Sequence, residues 1–401
     1  MGKRLLLLCL ILIISSAPAN SVKLSSSEIK GGYHSYDSMR LELEDLAGKY
    51  PNIINISSIG ITYEGREILV IKISDNPEID ENEPEVLYMG AHHGNEKPSY
   101  EVLIYFINYL AEKYYEATEE GSRVRWVVNN RELYIIPMFN PDGVEADERK
   151  NREPNYGPLG NPLPNCYGVD LNRNYGYKWE LFYVPRYRVH YLGTTSNNPY
   201  SDRYRGEEAF SEAETKAIRG FVSEHNFTLA LSYHTYGEVI LYPWGYTDED
   251  PPEEELFLSI GNNISKFNGY RVSQSSELYW TLGDATDWLY GERNVLAYTI
   301  ELGREHSPPY EEVLNICKTH VEVNLYIAEI AENPQDEWVV RGEPLESVLR
   351  AREKIFEDTP ATLATMSFMM IAAFGITYGG LFMCFRIAMR SERKKYGSME
   401  E

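Results

Sequence analysis

Apolar positions fall into two kinds of run along the chain. Short blocks at 53–61, 68–73, 86–90, 133–139, 229–233 and 296–300 are rich in Ile, Val, Leu and Tyr and read as strands. Between them, 39–50, 101–115, 211–225, 253–267 and 310–330 place apolar residues three and four apart, the period of a helix with one buried face. Ser211 followed by Glu214 predicts a capping-box start for the third of these helices. Strands that alternate with helices predict an α/β domain whose sheet is covered on both faces.

The two ends break this pattern. Residues 1–19 begin with Lys3 and Arg4, continue with an apolar run at 5–14 and finish on Ala17-Pro18-Ala19. A charged start, a short apolar stretch and an A-x-A ending predict a signal peptide. From 359 to 385 no residue is charged. As helix that length reaches ~40 Å, enough to cross a ~30 Å hydrocarbon core, so a transmembrane helix is predicted there. Arg386, Arg390, Arg393, Lys394 and Lys395 follow at once, making 386–401 a basic cytoplasmic tail. The charged stretch 333–358 reads as a juxtamembrane stalk. The expected organisation is a signal peptide, an exported domain at 20–332, a stalk and one membrane span. That places a single-pass protein in the cell membrane with its domain outside the cytoplasm.

Composition narrows the function. A formal net charge of -23 argues against a nucleic-acid partner, which requires a basic face. The exported part keeps Cys166 and Cys317, either one disulfide or two separate thiols.

The chemistry concentrates at strand ends. Ala91-His92-His93-Gly94-Asn95-Glu96 follows one predicted strand and precedes a helix. His93 and Glu96 are three apart, so at a helix start both reach one metal ion, and their donor atoms suit zinc. Alone the pair says little. Further on come Asn140-Pro141-Asp142-Gly143, Arg149-Lys150-Asn151-Arg152, and Cys166 through Asn174 with Asp170, Asn172 and Arg173. Ser232-Tyr233-His234-Thr235-Tyr236 ends another strand, Tyr279 through Trp288 includes Asp284 and Thr286, and Glu301 closes the 296–300 block.

In these motifs and their order, the chain from about 34 to 330 resembles the zinc carboxypeptidases of the carboxypeptidase A/B family, most of all the carboxypeptidase T group. The resemblance implies a mixed eight-stranded sheet with helices on both faces. It implies one Zn2+ held by His93, Glu96 and His234, with Asp170 orienting the first histidine. It implies Glu301 as general base toward a zinc-bound water and Arg149 as the cation beside the scissile carbonyl. Asn172, Arg173 and Tyr279 match the groups that hold the substrate's terminal carboxylate. The implied partners are peptide or protein C-termini. The residue types suit that task, since a guanidinium fork binds a carboxylate bidentately. Thr286 stands where relatives select the released side chain, and Asp284 lies two positions earlier, where it could meet a basic one. The expected preference is apolar, with some acceptance of Lys and Arg.

Overall fold

The computed structural model describes residues 32–334. Ten strands form within them: β1 Ile54–Ile61, β2 Glu67–Ile73, β3 Glu85–Met89, β4 Glu132–Ile136, β5 Pro154–Tyr156, β6 Pro162–Tyr167, β7 Phe227–Thr235, β8 Val239–Tyr242, β9 Arg271–Gln274 and β10 Leu296–Leu302. The helices are α1 Tyr36–Lys49, α2 Pro98–Lys113, α3 Glu119–Val128, α4 Pro141–Ala146, α5 Pro185–Arg188, α6 Ala213–Ser223, α7 Glu254–Asn268, α8 Ser275–Leu278, α9 Ala285–Arg293 and α10 Tyr310–Ile330. Eight strands make one sheet in the order β1-β2-β4-β3-β7-β10-β8-β9, and β5 and β6 form a small ribbon apart. The four central strands β4, β3, β7 and β10 run parallel, while β1, β2 and β8 each have an antiparallel neighbour. The mixed sheet expected from the sequence is therefore present.

Central strands buried on both sides explain why their sequences are apolar throughout rather than alternating. Alternation survives in which layer each side chain joins. Val86 and Tyr88 of β3 pack with Leu103, Phe106 and Leu325 on the face covered by α2 and α10. Leu87 and Met89 turn the other way, toward Ile218, Trp288 and Leu289 of α6 and α9. Each strand thus feeds two helical layers with period two.

Several expectations need correction. The short strands β8 and β9, each of four residues, and helices α3 and α9 were absent from the apolar pattern. Ser211 and Glu214 do not form a capping box: α6 starts at Ala213 with Glu212 before it and no side-chain cap. Both residues have other partners. Ser211 Oγ donates to Glu212, and Glu214 is buried and accepts from Asn151 Nδ2. Cys166 and Cys317 are two separate buried thiols. The predicted signal peptide, the transmembrane helix at 359–385 and the basic tail lie outside the described residues. Among the described residues no helix is long and apolar enough to cross a membrane.

Candidate functional site

The parallel strands β3, β7 and β10 all end at one edge of the sheet, the usual position for a site in such a fold. His93 follows β3, His234 is the penultimate residue of β7, and Glu301 is that of β10. Close backbone packing brings the first motif into place. A Cβ on Gly94 would sit 2.0 Å from the Gly143 carbonyl carbon, so only glycine lets the loop after β3 lie against the start of α4. The H-H-G-N-E and N-P-D-G motifs are two sides of that contact.

His93 Nδ1 lies 2.6 Å from Glu96 Oε1, and His234 Nδ1 lies 3.0 Å from Glu96 Oε2. The two Nδ1 atoms face each other at 3.2 Å. Each imidazole has its other nitrogen engaged: His93 Nε2 at 3.1 Å from Asp170 Oδ1, and His234 Nε2 at 3.2 Å from Ser232 Oγ. With protons on the outer nitrogens, two lone pairs point inward at each other, an arrangement that a cation between them relieves. Tetrahedral zinc with bonds of 2.0–2.1 Å places neighbouring donors ~3.3 Å apart, so the donor set fits it. Two other acid clusters, Asp75 with Glu81 and Glu83, and Asp80 with Glu85 and Glu132, offer carboxylates alone, and Glu132 already binds Lys72 at 2.6 Å. His92 faces away, against Tyr175 and Ser232, and burial holds its pKa well below the usual value.

The surrounding charges are strongly biased. Burial opposes ionisation of Glu96, but His93 and His234 outweigh it and hold the carboxyl well below its usual range. Asp170 behaves likewise: burial raises its pKa, and Arg149 and His93 overcome it. Arg149 donates from Nε and Nη2 to Asp170 Oδ2 at 3.0 and 2.9 Å, and its Nη1 lies 3.6 Å from Glu96 Oε1. Glu301 moves the other way. Burial pushes its carboxyl up to about 7, against the pull of His234 and with the push of Glu96.

On the far side of His234 lies a second group. Asn172 Nδ2 is 3.4 Å from His234 Nε2, and its Oδ1 accepts from the Ala285 N–H. Arg173 is anchored by Nε to the Thr194 carbonyl and by Nη1 to the Asn172 carbonyl, with its guanidinium 6.0 Å from the Tyr279 ring centre. Tyr279 itself is 42% exposed, so it borders open space. Gly283, at φ +75°, lets the following loop run over the Arg173 carbonyl, which a Cβ would meet at 2.2 Å. Asp284 then caps α9, accepting from the Asp287 N–H and from Thr286 Oγ1, while its Oδ2 is buried without a partner. His93, Glu96, Arg149, Asp170, Asn172, Arg173 and His234 are thus joined by contacts, with Tyr279 over Arg173 and Asp284 and Thr286 at the start of α9 beside Asn172.

Two neighbours escaped the sequence reading. Asp287 accepts from the Gly245 and Tyr246 N–H groups, and burial together with Asp284 pushes its pKa well above the usual range. Its signal was the D-x-x-D spacing at the start of α9. Thr235 donates its N–H to Glu96 Oε2 and so fixes the acid from the backbone.

A profile described as zinc carboxypeptidase matches residues 39–323. A zinc carboxypeptidase of Saccharothrix mutabilis subsp. capreolus is 33% identical over 292 residues, 69% of this chain and 63% of that protein. Carboxypeptidase B of Astacus astacus is 29% identical over 286 residues, covering 67% of this chain and 86% of its own length. Among solved structures, carboxypeptidase A from Helicoverpa armigera shares the fold with a TM-score of 0.65 at 24% identity, over 77% of each chain. The match spans under two thirds of the Saccharothrix protein's length, and the profile match takes in both strand-end histidines and the acid at the end of β10. The chain belongs to the zinc carboxypeptidase family.

Proposed function

We propose that the domain removes the C-terminal residue from peptides or proteins with the help of one zinc ion held by His93, Glu96 and His234. The observation that carries this reading is the position of Asn172 beside His234, with the Arg173 guanidinium bonded to the Asn172 carbonyl. A site that binds a terminal carboxylate there leaves the last peptide bond facing the metal ligands. Asn172 and the guanidinium of Arg173 hold the carboxylate, and Tyr279 closes over the released residue. Arg149, fixed by Asp170, sits beside Glu96 and takes up charge that develops on the carbonyl oxygen. Glu301 accepts a proton from the attacking water as the new C–O bond forms. It returns that proton to the amine nitrogen as the C–N bond breaks. A carboxyl near 7 suits both transfers at neutral pH. Bound zinc supplies Lewis-acid polarisation and a lowered water pKa.

The test pairs metal analysis of the purified domain with release assays on a free peptide and its C-terminal amide. One zinc per chain and cleavage of the free peptide alone support the reading. A metal-free active protein overturns the metal site, and equal cleavage of the amide points to an amidase on the same fold.

The finer likeness to the carboxypeptidase T group and the membrane anchoring rest on sequence alone. The apolar stretch 359–385 and the basic residues after it support an exported, single-pass arrangement. Protease treatment of intact cells tests it, because a domain that stays protected refutes that topology.

A further inference from the structure

The edge of the sheet opposite the metal ligands holds a cavity that the proposed reaction leaves unused. It measures about 510 Å³ and is lined by the first residues of two central strands, Phe227 of β7 and Leu296 of β10. The same strands carry His234 and Glu301 near their other ends, and from Leu296 to Glu301 the rise along β10 is ~17 Å. One wall is aromatic. Tyr177 stacks on Trp244 with ring centres 5.2 Å apart, and Trp244 meets Tyr290 at 4.7 Å. The Tyr177 ring lies against Gly291, where a Cβ would meet it at 2.4 Å. The Tyr290 hydroxyl is already engaged, donating to Glu253, and half-buried Leu256 of α7 adds an apolar side chain.

Pro334, just past the end of α10, lines the same cavity. The chain therefore leaves the described domain at the cavity wall. It continues as Gln335-Asp336-Glu337-Trp338-Val339-Val340-Arg341, an apolar trio between charged flanks. Trp338 is four residues past Pro334, a reach of up to ~14 Å as extended chain, so it lies within range of the whole lining. In an extended segment Trp338 and Val340 share one side. Burial of a tryptophan removes a large apolar surface from water and favours an aromatic wall.

We propose that Trp338 and Val340 seat in this cavity and clamp the chain beyond the domain to the sheet edge opposite the metal ligands. In the single-pass arrangement proposed above, the clamp turns the metal edge away from the bilayer and toward soluble peptides. The test uses the full chain, zinc-loaded and in detergent, with a photoreactive benzophenone amino acid in place of Val340. After irradiation, adducts within one chain to 244–256 or 290–296 are expected. Adducts between isotope-labelled and unlabelled chains overturn the clamp and give the cavity to a second copy. Adducts to detergent alone also overturn it and place Trp338 at the micelle surface, where tryptophan is favoured. In the otherwise unaltered full chain, Trp338→Ala is expected to lower the melting temperature by roughly 3–6 °C, and Trp338→Phe to keep most of the difference. A melting temperature unchanged in Trp338→Ala overturns the proposal as well. Neither measurement depends on turnover, so failure here is distinct from failure of the carboxypeptidase reading.

Discussion

Glu301 and His234 are register partners across the parallel pair β10 and β7. One rung of the ladder thus fixes the separation of the acid from a metal-facing imidazole. The sheet supplies the rigidity, since the same strands are buried throughout and packed on both faces. Glu301→Gln keeps the shape of the side chain but cannot take up a proton. The variant is expected to retain one zinc per chain and to lose at least about 100-fold in kcat. Metal content and C-terminal release are measured on the same sample, and turnover close to the parent's removes Glu301 from the role of base.

Asp170 serves two partners, one with each oxygen: His93 through Oδ1 and Arg149 through Oδ2. Loss of its charge should therefore weaken both metal binding and catalysis, whereas loss of Arg149 should spare the metal. For Asp170→Asn the expected drop in zinc affinity is about 10–100-fold, read by titration with a competing chelator. Arg149→Gln is expected to match the parent in that titration while its kcat falls. Equal chelator midpoints for Asp170→Asn and the parent contradict the orienting role.

Part of the site was legible because its two strand-end histidines and the acid of β10 sit at the ends of apolar strand blocks. His93, His234 and Glu301 stand where continuous burial stops, and polar side chains there need a reason. The central strands were legible for the same cause, as uninterrupted apolar runs. What the sequence hid depends on contacts between distant segments. The strands β8 and β9 are too short for a pattern and exist because β10 gives β8 an edge to pair with. The Ser211 and Glu214 pair has the spacing of a capping box, yet both side chains are taken by Asn174 and Asn151 from earlier in the chain. Asp287 is marked only by the D-x-x-D spacing at the start of α9. Only folding places it under the Gly245 and Tyr246 N–H groups.

A pH-dependent anchor lies away from the metal. His34, at the entry to α1, sits between Glu101 of α2, 2.9 Å from Nδ1, and Glu42 of α1, 2.9 Å from Nε2. Burial lowers its pKa, but the two carboxylates outweigh burial and raise it from 6.5 to about 10. The folded state therefore holds this proton more tightly than the unfolded chain does. The stabilisation is complete below the unfolded value and is lost as pH rises through about 10. Melting temperature at fixed zinc is expected to decline between pH 7 and 10 more steeply in the parent than in His34→Gln. Parallel curves for the two proteins refute the assignment.

In the proposed reaction, we expect selection of the released side chain to turn on Asp284. It occupies the N-cap of α9 and accepts from Asp287 N–H and Thr286 Oγ1 through a single oxygen. The other oxygen, Oδ2, is buried and unpartnered, the state in which a carboxylate gains most from an incoming cation. Asn is as good an N-cap as Asp, so Asp284→Asn removes the charge and leaves the helix start intact. Melting temperature should change little. Values of kcat/KM for peptides ending in Lys or Arg are expected to fall roughly tenfold or more, in line with loss of a charged hydrogen bond. Peptides ending in Leu or Phe should be cleaved as before, because Thr286 and the backbone around it stay in place. A common fall for all four peptides would mean that Asp284 only supports α9, and a strong preference of the parent for C-terminal Glu would exclude a carboxylate from the pocket wall altogether.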